Sequence, residues 1–215
     1  LIEIQRDKTL IHSEKVLDTL RDEFDRQHCV VLNHLLTADL AKLTDKQLNL
    51  GSFDETTHYT PDGTSFGKEE TMSDKSSFLT SALSLMLNRD TFINAIRHIT
   101  GKPEIQSFSG RIYRLHESRK GFLTWHDDSN VKERLIGFSL NLSRSPYEGG
   151  HFVIRDKRSQ KIFREVNYKA WGSAHIFRID KNLEHKVTRV TGDHSRITLA
   201  GWFYPSTGIK EFLSI

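Results

Sequence analysis

Hydrophobic positions in the first half of the chain recur mostly at helical spacing. Between Ser13 and Gln27, Val16, Leu17, Leu20 and Phe24 fall on one face, with Ser13 placed to cap the helix. Val30-Val31-Leu32 reads as a short strand, and Thr37–Leu48 as a second helix that Thr37 could cap. From Asp74 to Thr100 the apolar positions Phe78, Leu79, Leu83, Met86, Phe92, Ile93 and Ile96 keep helical period. This stretch is one long helix, or two with a break near Asn88-Arg-Asp90, and Gly101 and Pro103 end it. Gly51–Ser73 is polar, carries three glycines and a proline, and shows little periodicity. It reads as a long loop, either a surface loop or a substrate lid.

The pattern changes at about Gln106. Short β-rich runs follow, at Phe108–Leu115, Phe122–His126, Leu135–Leu142, His151–Arg155, Ala174–Ile179, Lys186–Val190 and Ile197–Tyr204. In the third run Ile136, Phe138, Leu140 and Leu142 share one side, and Gly137, Ser139, Asn141 and Ser143 the other, so a small polar face can line a cavity. In the last run Arg196 and Thr198 share a face. An arginine entering a sheet interior is costly unless paired, and a ligand carboxylate could be its partner. Helices followed by many short strands predict one α+β domain over residues 1–215. Residues 1–105 would be mainly helical support and lid loop, and 106–205 a sandwich or jelly-roll core.

Composition narrows the functional classes. Of 215 residues, 36% are hydrophobic and 27% charged, as in ordinary globular proteins, and the net charge is only +3. The densest basic stretch, Arg155–Arg164, reads as a solvated hairpin connection, not as a nucleic-acid surface. No apolar run is long enough to span a membrane and no signal peptide is visible. Cys29, the one cysteine, excludes an intramolecular disulfide and points to a reducing, cytoplasmic setting.

Eleven histidines justify a search for metal spacing. Only His126-Asp127-Asp128 places an aspartate two residues after a histidine, at the end of a β run entering a polar turn. Residues i and i+2 of a strand point to one side, so His126 and Asp128 can meet on one ion while Asp127 faces away. His185, opening a later β run, completes two histidines and a carboxylate, the facial set of non-haem iron(II) oxygenases. Arg196, on the next run, adds a fixed cation that can fork onto a carboxylate. His151, His175, His194 and His12 read as structural or solvated.

From Tyr113 to Tyr204 the chain resembles the prolyl-4-hydroxylase-like branch of the 2-oxoglutarate/iron(II) dioxygenases. The resemblance rests on the strand around Tyr113, His126-Asp-Asp128, Ser139-Leu-Asn-Leu-Ser143, Glu148-Gly-Gly150, Gly172-Ser-Ala-His-Ile-Phe177, His185-Lys-Val187 and Arg196-Ile-Thr-Leu-Ala-Gly-Trp-Phe203. The Gly-Trp-Phe ending is similar to the subgroup that acts on ribosomal protein prolines. The resemblance implies a double-stranded β-helix core with N-terminal supporting helices, and iron(II) on His126, Asp128 and His185. It also implies 2-oxoglutarate bound by Arg196 with Thr198 as helper, and Tyr113 in the pocket. Where the family often has a tyrosine on the third strand, this chain has Ser139 and Asn141, which leaves Asn141 as a cosubstrate contact. The implied reaction uses O2, with ascorbate as reductant. It turns 2-oxoglutarate into succinate and CO2 while hydroxylating a C–H bond of a prolyl residue or an amino-acid-like small molecule.

Two other readings stay open at this stage. A nucleic-acid demethylase of the same superfamily would carry a second arginine soon after the first, and none follows Arg196. A jelly-roll binding module without catalysis would have no use for three ligands beside Arg196.

Overall fold

The computed structural model describes residues 1–59, 63–73, 78–116, 122–129, 131, 133–167 and 170–205. The N-terminal part holds β1 (Ile2–Ile4), β2 (Thr9–Ile11), α1 (Glu14–Gln27), β3 (Cys29–Leu32), α2 (Asp39–Leu50), β4 (Phe53–Tyr59), β5 (Ser65–Met72), α3 (Phe78–Leu87) and α4 (Asp90–Thr100). The strands β6 (Ser107–Leu115), β7 (Phe122–His126), β8 (Ile136–Asn141), β9 (Glu148–Gly149), β10 (Phe152–Asp156) and β11 (Ile162–Val166) follow. The chain continues with β12 (Ala174–Arg178), β13 (Leu183–Val187), β14 (Val190–Thr191) and β15 (Arg196–Tyr204).

The helices form where apolar period and end signals agree. Ser13 holds the extended N-cap conformation of α1, although its hydroxyl makes no capping bond. α3 and α4 are separate, with Arg89 between them, and Gly101 closes α4 at φ 64°. Thr37 is not a side-chain cap: its hydroxyl donates to Asp39 Oδ1 (2.5 Å) or to the carbonyl of Ile4 (3.2 Å). Asp74, where the third helical stretch was expected to begin, lies outside the described residues.

One eleven-stranded sheet dominates, in the order β11-β10-β13-β7-β5-β6-β15-β8-β12-β3, with β4 on β5. Its pairings are antiparallel, and it folds over so that its two ends meet. Cys29 of β3, Phe152 and Ile154 of β10, Val166 of β11, Phe177 of β12 and Leu183 of β13 form the apolar cluster that joins those ends. This is the jelly-roll, double-stranded β-helix architecture, built in an α+β chain. The helices cover one outer face. There Phe92 meets Phe138 and Phe203 at ring separations of 6.3 Å, and Phe108 meets both at 5.2 Å. Each such ring, fully buried, contributes roughly 1.5–3 kcal/mol.

Two sequence expectations fail here. Within Gly51–Ser73 the described residues form the paired strands β4 and β5 where a loop was expected, and β5 is an interior strand that pairs with β6 through Glu70 and Thr71 and with β7 through Gly67 and Lys68. Apolar alternation is absent because three successive buried positions are polar: Glu69, Glu70 and Thr71 are all below a tenth exposed. Glu70 is compensated by Arg114 Nε at 2.6 Å, whose guanidinium lies 4.1 Å above the ring of Phe53. β3, β4 and β5 therefore extend the sheet into the first half of the chain, beyond the expected 106–205 core. Pro61, at the expected loop's centre, lies outside the described residues. Among the described residues, no helix is long and apolar enough to cross a membrane.

Candidate metal centre

His126 is the last residue of β7 and His185 sits mid-strand in β13, not at the head of a 186–190 run. The two are direct partners in the β7/β13 register, with ring centroids 4.2 Å apart. Asp128 joins them by a different route from the expected strand alternation. β7 has ended, and Asp128 stands in the left-handed region at φ 57°. That conformation is uncommon outside glycine, with Asn and Asp its most frequent non-glycine occupants. It turns the carboxylate back toward the imidazoles, so that Oδ1 is 3.9 Å from His126 Nε2 and Oδ2 is 3.5 Å from His185 Nε2. One ligand atom from each of His126, Asp128 and His185 lies within 4.8 Å of the others. Asp127 faces away, as expected, pairing with Lys157 and accepting from Ser129 N at 2.9 Å.

The surroundings prepare these groups for a cation. His126 Nδ1–H donates to the carbonyl of Thr124 at 2.7 Å, which fixes the tautomer and leaves the Nε2 lone pair facing Asp128. Burial, helped by neighbouring His185, lowers the His126 pKa to about 4, so the imidazole stays neutral at physiological pH. Burial alone would raise the pKa of Asp128. The hydrogen bond and charge of His185, with His126 and Trp202, outweigh it and hold the carboxyl well below its ordinary range. Two nitrogens and a carboxylate oxygen, buried together and pre-oriented, fit a divalent transition metal such as iron(II).

Trp202 and Arg134 position the carboxylate; the sequence marks Trp202 only as part of the Gly-Trp-Phe ending, with no role at the centre, and does not mark Arg134. Trp202 Nε1–H donates to Asp128 Oδ2 at 2.9 Å. Arg134 Nη1 lies 3.3 Å from Oδ1, and its guanidinium stacks 3.5 Å above the Trp202 ring. Replacing Trp202 with Phe keeps the ring and removes the donor. Fe(II) affinity is expected to fall about 10-fold, as for other outer partners of metal ligands, in an anaerobic Fe(II) titration.

The centre opens into a cavity of about 670 Å³. Arg196, only 4% exposed, enters it from β15. Its hydrogen bonds are long, 3.4 Å to Thr198 Oγ1 and 3.5 Å to Ser139 Oγ, and among the described residues its Nε has no partner. Among the described residues no carboxylate pairs with it. Gly150, at φ 64°, makes room for this arm: a Cβ there would stand 2.7 Å from Arg196 Cδ. That gives the Glu148-Gly-Gly150 motif a physical role. Thr198 and Tyr113, cross-strand partners in the β15/β6 register, both line the cavity, and burial, then the charge of Glu69, raises the Tyr113 pKa. Asn141 is not brought to the cavity. Its amide donates to the Ala170 carbonyl at 3.1 Å and its Oδ1 accepts from Ser143 N at 3.1 Å, so this polar position of β8 is used to hold a turn. His175 is buried mid-strand against Phe152, with ring centroids 4.3 Å apart, and His151 pairs with Glu165 at 2.5 Å.

Residues 111–204 match the profile of the 2OG-Fe(II) oxygenase superfamily. No curated protein matches the chain. Among solved structures, a Trichoplax adhaerens prolyl hydroxylase in complex with a hypoxia-inducible-factor peptide is similar in fold. Its TM-score is 0.69 at 15% identity, covering 94% of both chains. A Pseudomonas putida prolyl-4-hydroxylase aligns with TM-score 0.58 at 16% identity, over 88% of this chain and 98% of its own. The non-haem α-ketoglutarate-dependent epimerase SnoN of nogalamycin biosynthesis aligns with TM-score 0.64 at 11% identity, over 89% and 84%.

Proposed function

Residues 111–204 match the 2OG-Fe(II) oxygenase superfamily, and on that premise we propose that the chain is a 2-oxoglutarate-dependent dioxygenase that hydroxylates a C–H bond of a prolyl residue or an amino-acid-like small molecule. One observation carries the reading: His126, Asp128 and His185 converge within 4.8 Å at a cavity that also holds the buried Arg196, which among the described residues has no carboxylate partner. His126, Asp128 and His185 would hold Fe(II), with Trp202 and Arg134 keeping the carboxylate aimed. Arg196 would take the far carboxylate of 2-oxoglutarate, with Thr198 and Ser139 holding its guanidinium. Tyr113 would close the same wall. When bound, Fe(II), 2-oxoglutarate and O2 supply the oxidising chemistry, with one oxygen atom leaving in succinate, CO2 released, and the other oxygen entering the substrate. The apolar side chains around His185, Phe152 and Phe177, exclude water from that centre.

The peptide fragment in complex with the Trichoplax prolyl hydroxylase and the size of the cavity support a prolyl or amino-acid-like substrate. The epimerase neighbour shows that this fold serves more than one outcome, so the product has to be identified. The purified protein with Fe(II), ascorbate and 2-oxoglutarate is expected to release succinate slowly without a prime substrate, and His185→Ala is expected to abolish it. With a productive prolyl peptide or amino acid, succinate release rises and the substrate gains one oxygen atom by mass. Succinate no higher than in His185→Ala would overturn the proposal.

A further inference from the structure

The charged side chains that line the cavity nearly all have permanent counter-charges. Asp128 has Arg134 at 3.3 Å, Asp127 has Lys157, and Glu184 has Arg155 at 2.7 Å. Among the described residues two are left: Arg196, and Glu69 on β5. Glu69 has a side chain only 6% exposed, and among the described residues its one hydrogen bond comes from His58 Nε2, at 2.7 Å. That imidazole carries a charge only when protonated. A carboxylate offers about four acceptor positions, and one donor leaves most of them open. A buried anion in this state is costly unless a donor or cation completes it.

The position of the pair ties it to the metal centre. A register shift between His58 and Tyr59 in the β4/β5 pairing leaves Phe66 as the extra residue. This bulge brings Phe66 to the same cavity wall as Glu69. The Phe66 ring then packs on His126 (4.7 Å) and on His58 (5.7 Å), and His58 lies 6.3 Å from the Tyr113 ring. The wall beside the first metal ligand therefore presents an oriented carboxylate, while the anion-seeking Arg196 enters from β15.

We infer that Glu69, positioned by His58, is a specificity-determining residue that receives a protonated amine of the substrate. The inference rests on the oxygenase reading and narrows it: the substrate is an ammonium-bearing molecule, held through a charge-assisted hydrogen bond while its C–H bond faces the centre. The amine could be a free α-amino group, including the ring nitrogen of an unacylated proline, or a side-chain ammonium, and the probes separate these sources.

The test is calorimetric titration under anaerobic conditions, on the protein loaded with Fe(II) and 2-oxoglutarate and on the metal-free protein. The probes are L-prolinamide, its neutral analogue N-acetyl-L-prolinamide, Nα-acetyl-L-lysinamide with its side-chain ammonium, and the doubly acetylated lysinamide. One amine is expected to bind at least about 10-fold tighter than its acetylated partner, the scale of one charge-assisted contact, and Glu69→Gln is expected to cut that ratio below about 3-fold. Equal binding within both pairs, preference for the acetylated forms, or no binding of either amine overturns the inference. So does a ratio that survives Glu69→Gln. The wild-type ratio needs no variant, so the outcome stands even if the substitution impairs folding. Protein that selects an amine but does not retain Fe(II) and 2-oxoglutarate would keep the amine site and lose the oxygenase reading. Protein that loads both and ignores the charge would do the reverse.

Discussion

Asp128→Ala is expected to abolish Fe(II) retention and, with it, 2-oxoglutarate turnover, while the far-ultraviolet circular dichroism stays that of the wild type. The loss should exceed the ~10–100-fold that removal of an outer partner costs, because a direct donor disappears and the two imidazoles lose the anion between them. Asp128 accepts from Trp202 and pairs with Arg134, so truncation also strands an arginine and an indole N–H beside the centre. Folding does not depend on the carboxylate to the same degree, since the surrounding strands are held by their own ladders and by the apolar joint between the sheet's ends. Metal content after desalting in Fe(II), set beside the spectrum, separates loss of the centre from loss of the fold. Iron bound at wild-type stoichiometry would place the ligand set elsewhere.

Arg196→Ala is expected to raise the 2-oxoglutarate requirement by about 30- to 1,000-fold with Fe(II) binding retained. Truncating one partner of a buried, hydrogen-bonded charge pair typically costs about 2–4 kcal/mol, which converts to that range. Among the described residues the buried guanidinium has two long hydrogen bonds and no carboxylate, so a dicarboxylate relieves an existing cost as it binds. A second readout follows from linkage. Cosubstrate at about 100 times its Kd stabilises the wild type by about 2.7 kcal/mol, and the variant should show little of the corresponding rise in Tm. Without cosubstrate, Arg196→Met should be no less stable than the wild type, because it removes an uncompensated buried charge and fills the space with an apolar chain. Unchanged 2-oxoglutarate affinity in Arg196→Ala would point to a different anchor.

The grouping of His126, Asp128 and His185 was legible because its spacing reflects local geometry. His126 ends a β run, His185 lies in another, and the aspartate stands two residues on. The reason given for Asp128 was nevertheless wrong, since a left-handed backbone and not strand alternation turns it inward. Such a φ leaves no mark in hydrophobic patterning. The β4–β5 hairpin was hidden for a related cause: it buries Glu69, Glu70 and Thr71, so it carries no apolar period. Its β-branched Thr56, Thr57 and Thr71 and aromatic Phe53, Tyr59 and Phe66 were the available signal. Trp202 reaches Asp128 from 74 residues along the chain, a contact that no local pattern announces, and Arg134, six residues on, carries no periodic signal that would mark it. Asn141 misled because a buried polar row on a strand looks alike whether it faces a ligand or ties down a turn.

The backbone at Asp128 has a genetic corollary. Asparagine adopts that dihedral as readily as aspartate and differs from it by one codon base. The polypeptide would therefore tolerate this exchange without misfolding, while losing the anionic donor at its centre. Inactive alleles arising here should accumulate to normal cellular abundance and escape quality control, unlike alleles that damage the phenylalanine core.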